Sequence, residues 1–290
     1  LEEALDRNLT LLLGGRVNDL AAKRDIQNAL KHYGAEHYVR AVQRGYVLYV
    51  EGGTDLDILR AFAEQFGHPV AQAWDERINA FYVQNNFPDA DVDAELARVE
   101  GGFGITPPKH FGALRGLIPH LRGLAILDSD ARTRPDRDEG GLRLVYWERY
   151  EVENYFVAPA TLRAFALAQY DDMPLFVESV RAAIEEVLDR LILERVFRSA
   201  ERDFETWRTV TPEAARLIWE GNTRQIKLSD FAEEFFRLLG AHLGRPMLAR
   251  KGELHRLVPF LEEHALPEDV GRKLDLLQRL FLDSLPAVEP

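Results

Sequence analysis

Cysteine is absent from the 290-residue sequence, methionine occurs only twice, and long apolar runs are missing. The lack of cysteine excludes disulfide bonds and thiolate metal sites, so we expect an intracellular, cytoplasmic setting. The three leucines at 11–13 fall far short of the roughly 20 apolar residues of a membrane helix. They are also too few for a signal peptide, so neither a membrane span nor a leader is expected.

Positive charge is also scarce, since the formal net charge is −12 at pH 7. This balance argues against a broad basic surface for nucleic acid, because phosphate contacts need lysine and arginine. The objection is weaker for a metal-dependent nuclease, in which bound ions neutralise the acids of the active site. Basic residues do cluster locally around one predicted strand: Arg122, Arg132, Arg134, Arg137, Arg143 and Arg149.

The remaining composition is that of an ordinary globular protein, with 46% hydrophobic and 29% charged residues. The length is enough for one large or two modest domains, each with a core of its own. The eight histidines show no paired helical spacing, so they predict no histidine metal site.

One stretch, residues 46–55, organises the sequence. Five strand-favouring residues, Tyr-Val-Leu-Tyr-Val, lead into Glu51, two glycines, Thr54 and Asp55, after which apolar residues recur at helical spacing. This pattern predicts a buried strand, a tight turn and an amphipathic helix. Glu51 would then lie at the carboxyl end of the strand, the edge where open α/β sheets bind ligands.

A second stretch, residues 123–130, repeats the arrangement. The apolar run Gly-Leu-Ala-Ile-Leu ends in Asp128, Ser129 and Asp130. If the two strands are parallel neighbours, four carboxylates meet at one edge of the sheet: Glu51, Asp55, Asp128 and Asp130. Carboxylates so close together need a compensating cation. Hard divalent ions such as Mg²⁺ or Mn²⁺ prefer these oxygen ligands.

The pattern of elements predicts an α/β fold with three parts. Residues 1–42 form an N-terminal helical segment, and residues 43–160 alternate strands with helices, which implies parallel pairing. Residues 161–290 show helical periodicity only and predict an additional all-helical domain. The predicted strands are 46–50, 77–83, 123–127 and 142–147, and the predicted helices are 54–66, 109–121, 160–170, 174–200, 212–220, 229–243, 252–264 and 268–283. Loops are expected at 84–108 and 131–141.

The two carboxylate turns together resemble the TOPRIM domain of topoisomerases, primases and certain nucleases. In that domain a Glu after the first strand and an Asp-x-Asp after a later strand bind the catalytic divalent metal. The segment Glu151-Val-Glu-Asn-Tyr155 is similar to the stretch that follows the last TOPRIM strand in nucleases of the OLD (overcoming lysogenization defect) family. The likeness covers roughly residues 40–160 well and the helical part weakly.

The resemblance implies a DNA endonuclease with a two-metal TOPRIM site that nicks or cleaves phosphodiester bonds. The implied metal ligands are Glu51, Asp55, Asp128, Asp130 and Glu153, with Glu51 also catalytic. Glu151 is the alternative to Glu153, because a helix would turn only one of them toward the site. Ser129 is a possible supporting residue.

A catalytic lysine is also expected, because phosphoryl transfer develops negative charge that a cation stabilises. OLD-like sequences tend to carry a Lys-Gly stretch late in the chain, so the resemblance makes Lys251, in Arg-Lys-Gly-Glu, the candidate. The segment near 245–256 would then return to the active site. Members of the OLD family carry an ATPase domain N-terminal to the nuclease. The present sequence has no Gly-x4-Gly-Lys-Ser/Thr phosphate loop, so we expect no ATP site here and an ATPase domain as partner.

Two alternatives remain open from the sequence. An Asp-x-Asp after a strand also marks haloacid-dehalogenase-type phosphatases, although there it follows the first strand of the fold, and here two predicted strands precede it. The second alternative is a non-catalytic TOPRIM module that binds DNA or its ATPase domain, against which the complete carboxylate set argues.

Overall fold

The computed structural model describes residues 38–83, 106–170, 177–197, 201–261 and 265–283. Five strands form one sheet in the order β2-β1-β3-β5-β4, and every pairing is parallel except the antiparallel pair β4–β5. The strands are β1 (Tyr46–Val50), β2 (Ala80–Tyr82), β3 (Arg122–Leu127), β4 (Arg137–Glu139) and β5 (Leu142–Tyr146). The predicted α/β fold with a parallel sheet is therefore confirmed.

Residues 38–44 are helical, and nine α-helices follow within the described ranges: α1 (Gly53–Gln65), α2 (Trp74–Arg77), α3 (Pro107–Arg115), α4 (Pro159–Ala168), α5 (Val177–Leu191), α6 (Glu201–Thr209), α7 (Pro212–Thr223), α8 (Leu228–Leu243) and α9 (Glu268–Asp283). Three 3₁₀ helices (Pro69–Ala73, Val152–Tyr155 and Lys251–Phe260) and one π-helical turn (Ile192–Val196) accompany them. None of the helices in this part of the chain is long and apolar enough to cross a membrane.

Several predictions fall outside the described residues or differ from the structure. Most of the predicted N-terminal segment, up to residue 37, and most of the predicted 84–108 loop lie outside them. The strand predicted at 77–83 shortens to β2, because residues 74–77 form a helical turn. The polar loop predicted at 131–141 contains β4, which pairs with β5 through a tight turn at Gly140 and Gly141, both at positive φ. In the described part of the helix predicted at 252–264, the chain forms a 3₁₀ helix, Lys251–Phe260.

The sheet is covered on both faces, as continuous apolar strands require. Tyr46 and Leu48 of β1 face a cluster that includes Phe62 of α1. Val47 and Tyr49 alternate to the other face, where they join a cluster that includes Phe111 of α3. The helices that follow β1 and precede β3 therefore lie on opposite faces of the sheet.

The helical region shares one core with the sheet. The cluster on the α1 face continues without interruption through Phe165 of α4, Phe235 of α8 and Phe281 of α9. The structure thus combines a mostly parallel sheet with many helices, and helices after residue 159 contribute to the core on this one face.

Gly123 marks the closest approach between the sheet and α3. A Cβ atom at this position would lie 2.6 Å from Leu142 Cδ1 and 2.8 Å from the Phe111 ring. Only glycine fits there, so β3 can start between β1 and β5 with α3 packed directly on it.

Candidate functional site

The carboxyl end of β1 places two acids in one tight turn. Gly52 is the N-cap of α1, and its backbone N–H donates to Asp55 Oδ2 at 3.0 Å. Asp55 therefore caps the helix and lies where the helix dipole favours a negative charge. Glu51, one residue before Gly52, reaches across to the neighbouring strand, where its Oε1 accepts from the backbone N–H of Asp128 at 3.1 Å.

The carboxyl end of β3 carries Asp128 and Ser129, and a turn follows. Ser129 is buried, and its hydroxyl donates to the Arg149 carbonyl at 2.6 Å. Asp130 and Ala131 both adopt positive φ, 50° and 60°. The Asp130 carboxylate is 49% exposed and pairs with Arg134 at 3.5 Å. The predicted role of Asp130 as a metal ligand stays a prediction.

The third group of acids comes from the segment after β5. Glu151 has extended backbone, with φ −145°, and precedes the 3₁₀ helix that contains Glu153. Both side chains are buried. The expectation that only one of them faces the site assumed that both lie on one helix, whereas Glu151 precedes the 3₁₀ helix. Which of the two holds a metal stays a prediction. Their electrostatic influence reaches Asp128 together.

Hydrogen bonds from the helical region hold this segment in place. Glu151 Oε1 accepts from the backbone N–H of Ser229 at 2.6 Å, at the start of α8. The side-chain amide of Asn154 donates to the carbonyls of Thr223 and Ile226, both at 3.0 Å. The α7–α8 connection therefore positions the segment after β5, which carries Glu151 and Glu153.

Two lysines face the acids from the helical side. Lys251 Nζ pairs with Asp230 at 2.9 Å, and its charge also acts on Glu151 and Glu153. A Cβ atom added at the next residue, Gly252, would lie 3.9 Å from Thr54 Cγ2. This segment therefore lies against the β1–α1 turn. Lys227, which the sequence did not predict, lies 3.9 Å from Glu151 Oε2. No pattern around Lys227 identifies it, because only the packing of α8 brings it here.

Burial and mutual repulsion strongly perturb the acids at this edge. Burial first, then Glu51 and Asp55, raise the pKa of Asp128 to about 10. Burial, followed by Glu151 and Asp55, raises the pKa of Glu153 to about 8. Burial raises the pKa of Asp55 to about 6, although the Gly52 amide opposes the shift. We call Glu51, Asp55, Asp128, Glu151 and Glu153 the carboxylate cluster.

The cluster is not already arranged as a metal centre. Among the residues that the structure describes, no group of three or more His, Cys, Asp or Glu side chains could hold a metal ion as it stands. One reason is visible in the hydrogen bonds, since one oxygen each of Glu51, Asp55 and Glu151 is directed at a backbone amide. Bringing more oxygens to one point would require side-chain rotation.

The raised pKa values predict how the stability of the metal-free protein depends on pH. An acid with a higher pKa folded than unfolded binds more protons when folded, so the free energy of unfolding falls as pH rises through that window. For Asp128 and Glu153 the window runs from their ordinary pKa values of 3.8 and 4.5 to about 10 and about 8. We expect the thermal midpoint in EDTA to fall between about pH 5 and about pH 8.

A pair of matched variants distinguishes the effect of the carboxylate cluster on stability from the effect of the net negative charge of the chain. Asp128→Asn should flatten the decline, whereas Asp138→Asn, at an exposed position on β4, should leave it as in the wild type. Equal slopes for the two variants, measured by thermal unfolding at each pH, would contradict the proposed repulsion within the cluster.

Comparisons of the chain with protein-family models, curated proteins and solved structures found no match. We therefore interpret the site from its own geometry and chemistry.

Proposed function

We propose that the protein is a metal-dependent DNA endonuclease that nicks or cleaves phosphodiester bonds. The observation that supports this proposal is the carboxylate cluster itself, which gathers acids from β1, β3 and the segment after β5 at one edge of a parallel sheet. Lys227 and Lys251, from the helical region, add positive charge beside these acids. Acids with strongly perturbed pKa values cluster at functional sites, where burial and neighbouring charges shift them.

The chemistry of the cluster fits a hard divalent cation. All its side-chain donors are carboxylate oxygens, which Mg²⁺ and Mn²⁺ prefer. Burial and mutual repulsion make the ionised cluster unfavourable without added positive charge, as the raised pKa of Asp128 indicates. In this proposal Glu51, Asp55, Asp128 and Glu153 hold the metal, one ion or two, and Glu151 supports them while it remains bonded to Ser229.

A bound metal would activate water and stabilise the charge that develops on the phosphate. The protein's own residues supply the rest. Glu51 fixes the distance between the β1 and β3 turns through the Asp128 amide. Ser129 ties the β3 turn to the segment that carries Glu151 and Glu153. Lys251, whose Nζ pairs with Asp230, contributes positive charge toward the phosphate.

Incubation of supercoiled plasmid with the protein tests the proposal directly. We expect conversion to open-circle and linear DNA with Mg²⁺ or Mn²⁺, and no conversion in EDTA. Glu51→Gln should lower the rate at least about 100-fold, since even residues that only orient metal ligands cost 10–100-fold. The exposed Glu76→Gln on α2 is the matched control and should cut like the wild type.

Two results would oppose the proposal. Intact plasmid under every metal would reject it for the isolated chain, and equal cutting by Glu51→Gln would place the activity elsewhere. Release of phosphate from a small phosphomonoester, with the plasmid left intact, would favour a phosphatase. The ATPase domain implied by the resemblance stays a prediction and plays no part in this test.

A further inference from the structure

A cavity adjoins the site next to the turn after β3. It measures about 560 Å³ and is lined by the turn after β3, the start of the segment after β5, the end of α7 and α9. Ser129 contributes to its wall, so the cavity begins directly beside Asp128. None of the residues that belong to the carboxylate cluster lines it.

Arginine dominates the charge of this cavity. Four arginines line it, Arg132, Arg134, Arg224 and Arg272, against two acids, Asp136 and Glu148. This local excess of positive charge contrasts with the net charge of −12 for the whole chain. Of the six arginines that cluster in the sequence, Arg132 and Arg134 take part, whereas Arg224 and Arg272 come from the α7–α8 connection and α9.

Two of the four arginines are already held by acids. Arg272 pairs with Asp136 and Asp269, both at 2.8 Å. Arg134 pairs with Asp130 and lies over the Tyr146 ring, 5.3 Å from its centroid. These partners fix the positions of the two guanidinium groups and offset part of their charge.

The positive charges of the other two arginines, Arg132 and Arg224, are available to bind a ligand. Within the described ranges, neither Arg132 nor Arg224 has a carboxylate partner within 4 Å, and both are exposed. They approach the cavity from different elements, the β3 turn and the end of α7. A guanidinium group presents a planar fork of donors that matches the oxygens of a phosphate. Two such forks at one cavity can hold one anion between them.

We propose that this cavity binds a backbone phosphate of the DNA strand whose neighbouring phosphodiester lies at the carboxylate cluster. This inference rests on the proposed function and adds to it a contact that positions the strand. Phosphates repeat along a strand, so a strand that reaches Asp128 presents further phosphates to a cavity that begins at Ser129. The arginines offset the repulsion that an acidic chain exerts on DNA and set the direction of the strand.

Binding of a fluorescent oligonucleotide duplex, measured by anisotropy in Ca²⁺ and in EDTA over a range of salt, tests this inference apart from cutting. The double variant Arg132→Gln/Arg224→Gln should weaken binding by about tenfold or more at low salt. It should also reduce the slope of log K against log salt by roughly 1 to 2, since each lost phosphate contact contributes about 0.9. The matched control is Arg202→Gln/Arg279→Gln, which changes the net charge equally at exposed positions outside the cavity.

The outcomes separate the two proposals. Weaker binding in the cavity variant alone supports the inference, even if the wild type cuts no plasmid and the nuclease proposal fails. An unchanged slope in the cavity variant, or equal losses in the control, overturns it. Undetectable duplex binding by the wild type also overturns it. The remaining outcome is a mononucleotide that competes for the cavity as strongly, per phosphate, as the duplex does. That result would overturn the assignment to a DNA strand and identify a free phosphate as the ligand.

Discussion

Asp128→Asn should abolish metal-dependent cutting and at the same time stabilise the metal-free protein. Asp128 has the most strongly raised pKa of the cluster, because it is largely removed from solvent and surrounded by four other acids. Asparagine keeps the size of the side chain and removes the charge, so the repulsion within the folded state falls. The same change removes an oxygen donor that a metal needs, and cutting should fall at least about 100-fold.

Opposite effects on activity and stability distinguish this result from simple unfolding. We expect a higher thermal midpoint than the wild type in EDTA, and a smaller rise of that midpoint when Mg²⁺ is added. Asp138→Asn is again the control and should change neither quantity. A variant that loses stability and activity together would contradict the assignment of Asp128 to a site of repelling carboxylates.

Asp269→Ala should cause a large loss of stability, far beyond that of an ordinary surface substitution. Asp269 on α9 is 4% exposed at its side chain and accepts hydrogen bonds from Lys273 and Tyr155. It also accepts from the Glu148 amide at 3.1 Å and pairs with Arg272 at 2.8 Å. Although burial acts against it, these donors hold the pKa of Asp269 below its ordinary value.

Removal of this carboxylate would leave the Lys273 ammonium without its counter-ion at a fully buried position. Breaking such a pair costs about 3–5 kcal/mol, because one charge stays buried and uncompensated. We expect the thermal midpoint to fall by roughly 10 °C. Urea unfolding should show the loss as a lower transition midpoint at an unchanged m value.

Lys273→Met provides the matched comparison from the other side of the pair. Methionine can occupy the space of the lysine side chain over the Trp147 ring. In the wild type, the Lys273 ammonium lies 4.7 Å from the centroid of that ring. Asp269 would keep Arg272, Tyr155 and the Glu148 amide. The loss should therefore be clearly smaller than in Asp269→Ala. Equal losses for both variants would contradict the argument that an uncompensated Lys273 ammonium causes the larger loss in Asp269→Ala.

Part of the site could be predicted because it depends on local patterns. A continuous apolar run before Glu51 and another before Asp128 each predict a buried strand, and parallel neighbours bring their ends to one edge. The capping role of Asp55 also follows from its place in the first helical turn. These inferences need only the spacing of residues along short segments.

The remaining features depend on contacts between distant segments. Glu151 has extended backbone, and its side chain bonds to Ser229, 78 positions further along the chain. Lys227 reaches the cluster only because α8 packs behind it, and the exposure of Asp130 follows from the turn at positive φ. The hairpin of β4 lies within a polar, charged stretch that lacks apolar alternation. Periodicity carries no information about any of these.

The strand order determines where substitutions could change the chemistry of the protein without changing its fold. From β1 the chain adds β2 on one side and β3 on the other, with the intervening helices on opposite faces, so a crevice opens between the ends of β1 and β3. Connectivity alone creates this crevice, whichever side chains line it. The fold could therefore carry a different chemistry at the strand tips while its core sequence stays the same.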